Sequence, residues 1–442
     1  MIPKPEKIMR KYTIVYRTCA LLHHVLEKVF KERKERKMNV QGQTATCFSD
    51  IVNHAAVGSE KVYGEDIICS CDEEKENKIL FVIHEQSLTG APMVAYNYAI
   101  LMKEKGWQPV ILSPYDGALR EYALKNGIPV IVMPELMESC YISGIRSLFS
   151  MIVVTTAVCG SVIKRLNKTD SNVIWWIHES ETVYVYNTEK LMKEMPITVS
   201  ENIHVYCGGN YAQRVLAKRY PRYKTDILLY YAKDIRDINL RNDKERNSLC
   251  STKAKRNEKK RYACVAAIET RKGQDLLLMA IEMLPDEIRT NSRFFFIGQS
   301  YDEKLQQKII QKSKKYPEQI IYYEGLDFEK LYDFYNDIDY LICCSRDDPM
   351  PVVVAEAMSL GKPCICSHNT GSADIIECYD AGYTYSKNDS QRLAKLIVNS
   401  FGVTDERYEE LSRNVRRAYE ENFSKAVFED RIMKIMNETM ED

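Results

Sequence analysis

SRDDPMPVVVAEAMSLGKP, Ser345 to Pro363, follows a short apolar run, Tyr340 to Cys344, bounded by polar residues. A run of that length and character reads as a buried parallel strand. Pro351 suits the first turn of a helix, where its missing N–H costs nothing. Gly361 followed by Pro363 stops that helix about three turns later. Asp348 then lies in the loop at the carboxyl end of a strand, where open α/β sheets take ligands, and Glu356 lies on the following helix. At about 1.5 Å of rise per residue the two carboxylates stand up to about 12 Å apart, a span that suits the two ends of a sugar diphosphonucleoside. Carboxylates accept hydrogen bonds from vicinal hydroxyls, so one can hold a sugar and the other a ribose. Read from spacing alone, Asp348 is also a fair helix cap and Glu356 a fair solvated helix position.

The remaining pattern agrees with a sheet protein of more than one domain. The chain has 442 residues, enough for two or more cores. Lys plus Arg and Asp plus Glu number 62 each, so no global basic field argues for nucleic acid. Strand-like segments alternate with helical ones from Lys78: Ile79–His84, Val110–Ser113, Val130–Met133, Ile152–Thr155, Val173–Ile177, His204–Cys207 and Ile227–Tyr231. A charged stretch from Arg241 to Arg261 reads as a linker. A second series follows: Tyr262–Ile268, Arg293–Ile297, Ile320–Tyr323, Tyr340–Cys344, Cys364–Ser367 and Tyr383–Tyr385. This predicts two doubly wound, Rossmann-like α/β domains, 76–240 and 262–423, facing a cleft.

Residues 1–75 differ. Ile8, Tyr12, Val15, Cys19, Leu22, Leu26 and Val29 fall on one helical stripe flanked by many Lys and Arg, and residues 38–75 read as a loose connector. A basic amphipathic helix over residues 5–37 fits either an anionic membrane surface or a protein partner. The fourteen cysteines show no zinc or redox spacing and suit burial in a reducing cytosol. With neither a secretory signal nor 18 consecutive apolar residues, the expected location is cytoplasmic, with the inner face of the membrane open to it through the basic helix.

Several strand ends carry candidate chemistry. His84 and Glu85 run into Ser87, Leu88, Thr89, Gly90, Ala91 and Pro92, and Gly90 at a helix start lets main-chain N–H groups meet a phosphate. There is no G-x-G-x-x-G, which argues against a nicotinamide dinucleotide. His178 and Glu179 end the strand Val173–Ile177, and Arg271 and Lys272 follow Tyr262–Ile268. Alone, His178 reads as structural and the Arg–Lys pair as exposed. Asp337 and Asp339 have DxD spacing but precede a strand at its amino end, so no metal is expected there. Gly208 and Gly209 read as a turn.

The Asp348 to Pro363 segment resembles the donor-site signature of family 4 glycosyltransferases, retaining enzymes of the GT-B fold. In that family a Glu, seven residues and a second Glu precede Ala-Met-x-x-Gly-x-Pro. Here Asp348, Glu356, Ala357, Met358, Gly361 and Pro363 carry the pattern. Pro349, Met350 and Pro351 replace the usual Gly-Phe-Gly, which removes two main-chain donors and leaves Met350, Val352 and Val353 to offer theirs to the donor. The resemblance implies a diphosphate held by Lys272 and the Thr89–Gly90 loop, His178 beside the reacting sugar, Asp348 on the sugar and Glu356 on the ribose. It also implies an Arg five residues before Lys272, where this chain has Ala267, with Arg271 the substitute. A C-terminal helix from residue 424 returning to the first domain is expected. The implied activity is that of a metal-independent, cofactor-free, hexosyltransferase-type enzyme. It moves a sugar from a nucleotide sugar to a glycan, lipid-linked or polysaccharide acceptor in bacterial cell-surface glycan assembly. A nucleotide-sugar 2-epimerase and a non-catalytic sugar-binding or scaffold subunit remain alternatives.

Overall fold

Continuous apolar runs such as Ile79–Val82, Val173–Ile177 and Phe294–Ile297 are buried on both faces in the computed structural model, which describes residues 61–65, 77–138, 141–237, 259–386 and 388–441. The expected basic helix over residues 5–37 and most of the linker stretch, 241–258, lie outside the described residues. Two sheets result. The first contains β1 (Lys61–Tyr63), β2 (Lys78–Val82), β3 (Gln108–Ser113), β4 (Val130–Val132), β5 (Met151–Thr155), β6 (Val173–Ile177), β7 (Ile203–Cys207) and β8 (Thr225–Ile227). Its order is β1-β4-β3-β2-β5-β6-β7-β8, parallel except for the β1–β4 pair. The second contains β9 (Lys260–Val265), β10 (Ser292–Ile297), β11 (Ile320–Tyr323), β12 (Tyr340–Cys343), β13 (Cys364–Ser367) and β14 (Gly382–Tyr385), all parallel in the order β11-β10-β9-β12-β13-β14.

In each sheet the chain builds one side, returns to the middle and builds the other. The order reverses between β2 and β5 in the first sheet and between β9 and β12 in the second. Loops leaving the carboxyl ends at such a reversal part to opposite faces and open a crevice. Those loops are His84–Thr89 in the first half, and Ala266–Gly273 and Cys344–Pro351 in the second.

Three expectations need correction. The connector over residues 38–75 contains β1, whose Lys61 and Tyr63 pair with Val132 and Val130; a three-residue edge strand is too short to show a period. Lys260 and Arg261 belong to β9 and not to the linker, because they pair with Ser292 and Arg293. Ile227–Tyr231 is not a strand. β8 ends at Ile227, and Leu228–Ala232 is buried because it is wedged between the halves. The Leu228 carbonyl accepts from Trp176 Nε1 at 2.8 Å, the Tyr231 hydroxyl reaches the Asn97 carbonyl at 3.4 Å, and the Ala232 carbonyl accepts from Tyr419 at 2.7 Å.

The helix Lys425–Glu441 seals the arrangement by packing on the first half. Phe428 meets Tyr98 edge-on at 5.5 Å, stacks on Trp176 at 5.9 Å and touches Tyr231 at 5.5 Å. Lys425 pairs with Glu104, and Lys105 with Glu429. One apolar core therefore runs from Phe81 and Trp176 through Tyr230 to Val354 and Phe428. Removing a buried ring at such a junction costs about 3–5 kcal/mol. Phe428→Ala should lower unfolding stability by about that amount, read in urea by tryptophan fluorescence; a loss below about 1 kcal/mol would show that the helix does not clamp the halves.

Candidate functional site

The loop after β12 is built from both of its neighbours. Its strand is buried, so the polar residues that follow emerge together at the sheet's carboxyl edge. The Asp348 N–H donates to the Asn369 carbonyl and the Asp348 carbonyl accepts from the Gly371 N–H, each at 3.0 Å. Glycine is required at 371, since a Cβ would stand 1.8 Å from the Pro349 carbonyl oxygen. Pro351 takes the N-cap position, one residue ahead of the expected first turn, and the helix runs Val352–Ser359. The first N–H groups of a helix have no intrahelical acceptor, so those of Val352 and Val353 point out of its start.

The two residues assigned to the sugar and the diphosphate touch each other. Lys272 Nζ donates to Asp348 Oδ2 at 2.6 Å, with the side chains 17% and 7% exposed. They come from the loops that follow β9 and β12, the two strands flanking the reversal. Gly273 permits this approach: its φ is 74°, and a Cβ there would stand 2.0 Å from the Cys344 carbonyl oxygen. The ammonium keeps two further N–H donors and the carboxylate its second oxygen.

Arg271 is less available than its charge suggests. Its guanidinium donates to Glu269 at 2.7 Å and to the Asp347 carbonyl at 2.9 Å. The Ala267 carbonyl accepts from Gln274 at 2.8 Å, so that position contributes main chain only. Arg346 is committed to Asp275 by two bonds of 2.7 Å.

Glu356 is half-buried on the Val352–Ser359 helix and takes a hydrogen bond from Tyr335 at 3.0 Å. Burial pushes its carboxyl up to about 7, against the opposing pull of the Tyr335 hydroxyl. Its ionisation therefore changes across the physiological range. Asp337 and Asp339 do not join this site: Asp339 accepts from the Arg261 N–H at 2.7 Å, and Asp337 lies 3.8 Å from the Arg261 guanidinium, both at the amino end of β9. Among the described residues no group of three or more His, Cys, Asp or Glu is arranged to hold a metal ion.

On the first half, His178 ends β6 with its ring against Trp176 at 4.5 Å. Burial, and then the neighbouring His84, lower its pKa to about 3, so it is neutral near pH 7. A neutral imidazole cannot offset phosphate charge; it can exchange a hydrogen bond with a sugar hydroxyl. Glu179 does not orient the ring. It accepts from the His178 main-chain N–H at 3.0 Å and is buried, which pushes it up to about 7. The Gly208–Gly209 turn packs against two candidate residues: a Cβ at Gly208 would meet His178 Nδ1 at 2.7 Å and one at Gly209 would meet Met350 Cε at 2.5 Å. Buried Met350 thus reaches the first half, and its carbonyl accepts from Tyr230 at 3.4 Å.

Thr89 and Gly90 are exposed at the start of the Gly90–Glu104 helix, and neither is hydrogen-bonded to Lys272 or Asp348. A Cβ on Gly90 would meet no protein atom within 4 Å, so the fold itself does not demand glycine there. Behind them, His84 Nδ1, His178 Nε2 and both amide atoms of Gln86 are buried without hydrogen-bond partners among the described residues. Buried polar atoms left unpaired are costly and mark places where a further polar group belongs.

Sequence reasoning missed Asp347. This buried carboxylate crosses between the halves and caps the Glu181–Tyr186 helix, accepting from Glu181 N at 3.2 Å, Thr182 N at 2.7 Å and the Tyr211 hydroxyl at 2.6 Å. Burial alone would raise its pKa, but these hydrogen bonds outweigh that effect and hold it below the usual carboxylate range. The doubled Asp at a strand end was the only signal. Asp347→Ala should cost about 1.5–3 kcal/mol in thermal or urea unfolding and loosen the closure of the halves, measured as a larger radius of gyration in small-angle scattering; unchanged values would show that the contact is incidental.

Comparison with known proteins assigns the family. Residues 75–214 match the glycosyl-transferase family 4 model and residues 247–418 match the glycosyl transferases group 1 model. A 98-residue stretch is 32% identical to WcaC of Escherichia coli K12, assigned as a colanic acid biosynthesis glycosyl transferase; the match spans 21% of this chain and 23% of that protein. In fold, the chain is similar to Anabaena HepE in complex with UDP and glucose, with a TM-score of 0.64 and 16% identity over 82% of this chain and all of that one. Sucrose-phosphate synthase from Thermosynechococcus elongatus gives a TM-score of 0.62 and 15% identity over 82% of this chain and 99% of that one. With the two family models together matching most of the chain, a GT-B arrangement of two facing sheets and the Asp348–Glu356 signature in place, the chain belongs to the family 4-like glycosyltransferases.

Proposed function

We propose that this protein is a retaining, metal-independent glycosyltransferase that moves a hexose-type sugar from a nucleotide sugar to a glycan, lipid-linked or polysaccharide acceptor in bacterial cell-surface glycan assembly. The observation that carries the reading is the Lys272–Asp348 pair at the strand-order reversal, within the loop system that also orients Glu356 and faces His178 through Gly208 and Gly209. The surface-glycan setting is supported by the WcaC match, and a nucleotide-sugar donor by the fold shared with HepE.

Cleaving the anomeric carbon–oxygen bond develops positive charge on the sugar and negative charge on the departing diphosphate. Cations and N–H groups fixed in advance stabilise that leaving group best. Lys272 is placed for this, helped by the N–H groups of Val352 and Val353; Arg271, tied to Glu269, adds less. Asp348 holds the sugar hydroxyls, neutral His178 holds another, and Glu356 accepts from the ribose. The acceptor hydroxyl attacks from the face that the diphosphate leaves and gives its proton to the departing phosphate oxygen. A cytoplasmic site at the inner membrane face, reached through the basic segment over residues 5–37, suits an acceptor anchored in lipid.

Release of nucleoside diphosphate on mixing with nucleotide sugars and acceptors tests the reading. Lys272→Ala should lower kcat/KM by about 10²–10³ when assayed well below its unfolding midpoint, which should itself fall because the buried Asp348 carboxylate loses its partner. Full turnover in that variant would remove Lys272 from the reaction, conversion of the donor without acceptor would indicate an epimerase, and donor binding without turnover a scaffold. A pH series of UDP binding gives a second check. Because Glu356 ionises near 7 and the carboxylate accepts from two hydroxyls where the acid accepts less well, affinity should rise as pH passes upward through about 7. Glu356→Gln should flatten that rise while Glu179→Gln, which removes the other carboxyl near 7, leaves it; a rise that survives Glu356→Gln would contradict the ribose assignment.

A further inference from the structure

A cavity of about 600 Å³ lies in the helical layer of the first half, among residues the reaction does not use. Its wall carries Arg146, Lys164, Arg165, Lys168 and Lys193 against the single carboxylate Glu194. Ser161, Lys164, Arg165 and Lys168 follow one another at steps of three, one and three, which sets them on one face of the Gly160–Leu166 helix and its continuation. Arg146 comes from the turn before β5, and Lys193 and Glu194 from the end of the Thr188–Glu194 helix. The positive groups thus come from three segments and converge on one concavity.

The protein's own groups offset little of this charge. Arg165 donates to the main-chain carbonyls of Ser161 at 2.9 Å and Met137 at 3.0 Å, which fixes the guanidinium without neutralising it. Lys164 likewise reaches a carbonyl, that of Lys193, at 3.2 Å. Arg146 pairs with Asp170, whose side chain is 91% exposed and so strongly screened. Glu194 is itself held above the usual carboxylate range, first by burial, and its Oε2 is buried with no hydrogen-bond partner among the described residues. Against five cations this one carboxylate leaves the wall net positive. The hydroxyls of Ser161 and Thr169 line the same wall.

We propose that this cavity is a binding site for a phosphate group, separate from the donor cleft. Convergent cations with fixed donors and hydroxyls match a tetrahedral oxyanion with several acceptor oxygens. The phosphate can belong to a free anion or to a lipid headgroup. On the helix that supplies Lys193 and on the loop after it, Met192 and Ile197 stand 73% and 78% exposed, as residues entering a lipid interface would.

The test uses the full chain and a Lys164→Gln/Lys168→Gln double variant, both exposed positions outside the donor cleft. Calorimetry with inorganic phosphate and pyrophosphate reads the free anion; sedimentation with vesicles of anionic or of neutral phospholipid reads the headgroup. A Lys308→Gln/Lys314→Gln variant, exposed on the Glu303–Lys315 helix, controls for net charge. The expected result is binding in at least one arm, weakened about fivefold for each lysine removed from the cavity and unchanged in the control variant. Saturable binding of free phosphate without vesicle binding assigns a soluble anion, and binding to anionic vesicles alone assigns the headgroup. No binding in either arm, or equal loss in the control variant, overturns the proposal.

Discussion

The contact between Lys272 and Asp348, 2.6 Å across the strand-order reversal of the second sheet, is the one on which the site depends. It exists because β9 and β12 are neighbours while the chains leaving them diverge. Gly273 brings the loops close enough for an ammonium on one to meet a carboxylate on the other. Both side chains are mostly buried, so the pair is screened little by salt and holds its geometry. In the proposed reaction, a cation and a carboxylate so fixed would present one charged centre to a leaving phosphate and one acceptor to a sugar hydroxyl.

That centre is useful only if the first half faces it. Three devices hold the halves together: the wedge Leu228–Ala232, the Lys425–Glu441 helix with Phe428 seated among Tyr98, Trp176 and Tyr231, and the Asp347 carboxylate capping Glu181–Tyr186. The third is adjacent in sequence to Asp348. One short loop therefore carries both the proposed sugar contact and a contact between the halves, which couples the position of Asp348 to the position of the first half. Met350, three residues after Asp347, adds an apolar contact at Gly209. Replacing the flexible Gly-Phe-Gly of the family with Pro349, Met350 and Pro351 stiffens this loop, since each proline fixes its own φ and restricts the residue before it.

The architecture was legible in the sequence because buried parallel strands are long apolar runs, and the Asp348–Glu356 signature because its spacing is local. Burial of Cys343, Cys344, Cys364 and Cys366 followed from the same runs. What escaped reading depended on contacts between segments far apart in the chain. Ile227–Tyr231 looked like a strand, since a wedge buried on all sides and a central strand are equally apolar. Asp347 looked like a neighbour of Asp348, and its partners are over 130 residues away. Gly208 and Gly209 looked like a turn, and only the positions of His178 and Met350 reveal why side chains are excluded there. The resemblance offered Arg271 as the substitute for the arginine absent at Ala267, and only the fold shows its guanidinium tied to Glu269.

The neutral state of His178 and the raised pKa of Glu356 have one cause, desolvation at the facing edges of two sheets. A site that excludes water in this way strengthens each remaining charge, Lys272 above all. The most direct measurement is an experimental structure of the chain soaked with UDP. The expected result is a diphosphate within about 2.7–2.9 Å of Lys272 Nζ and ribose hydroxyls on the Glu356 carboxylate. Nucleotide bound away from both residues, or Glu356 turned from the ribose, would contradict the assignment of this crevice as the donor site.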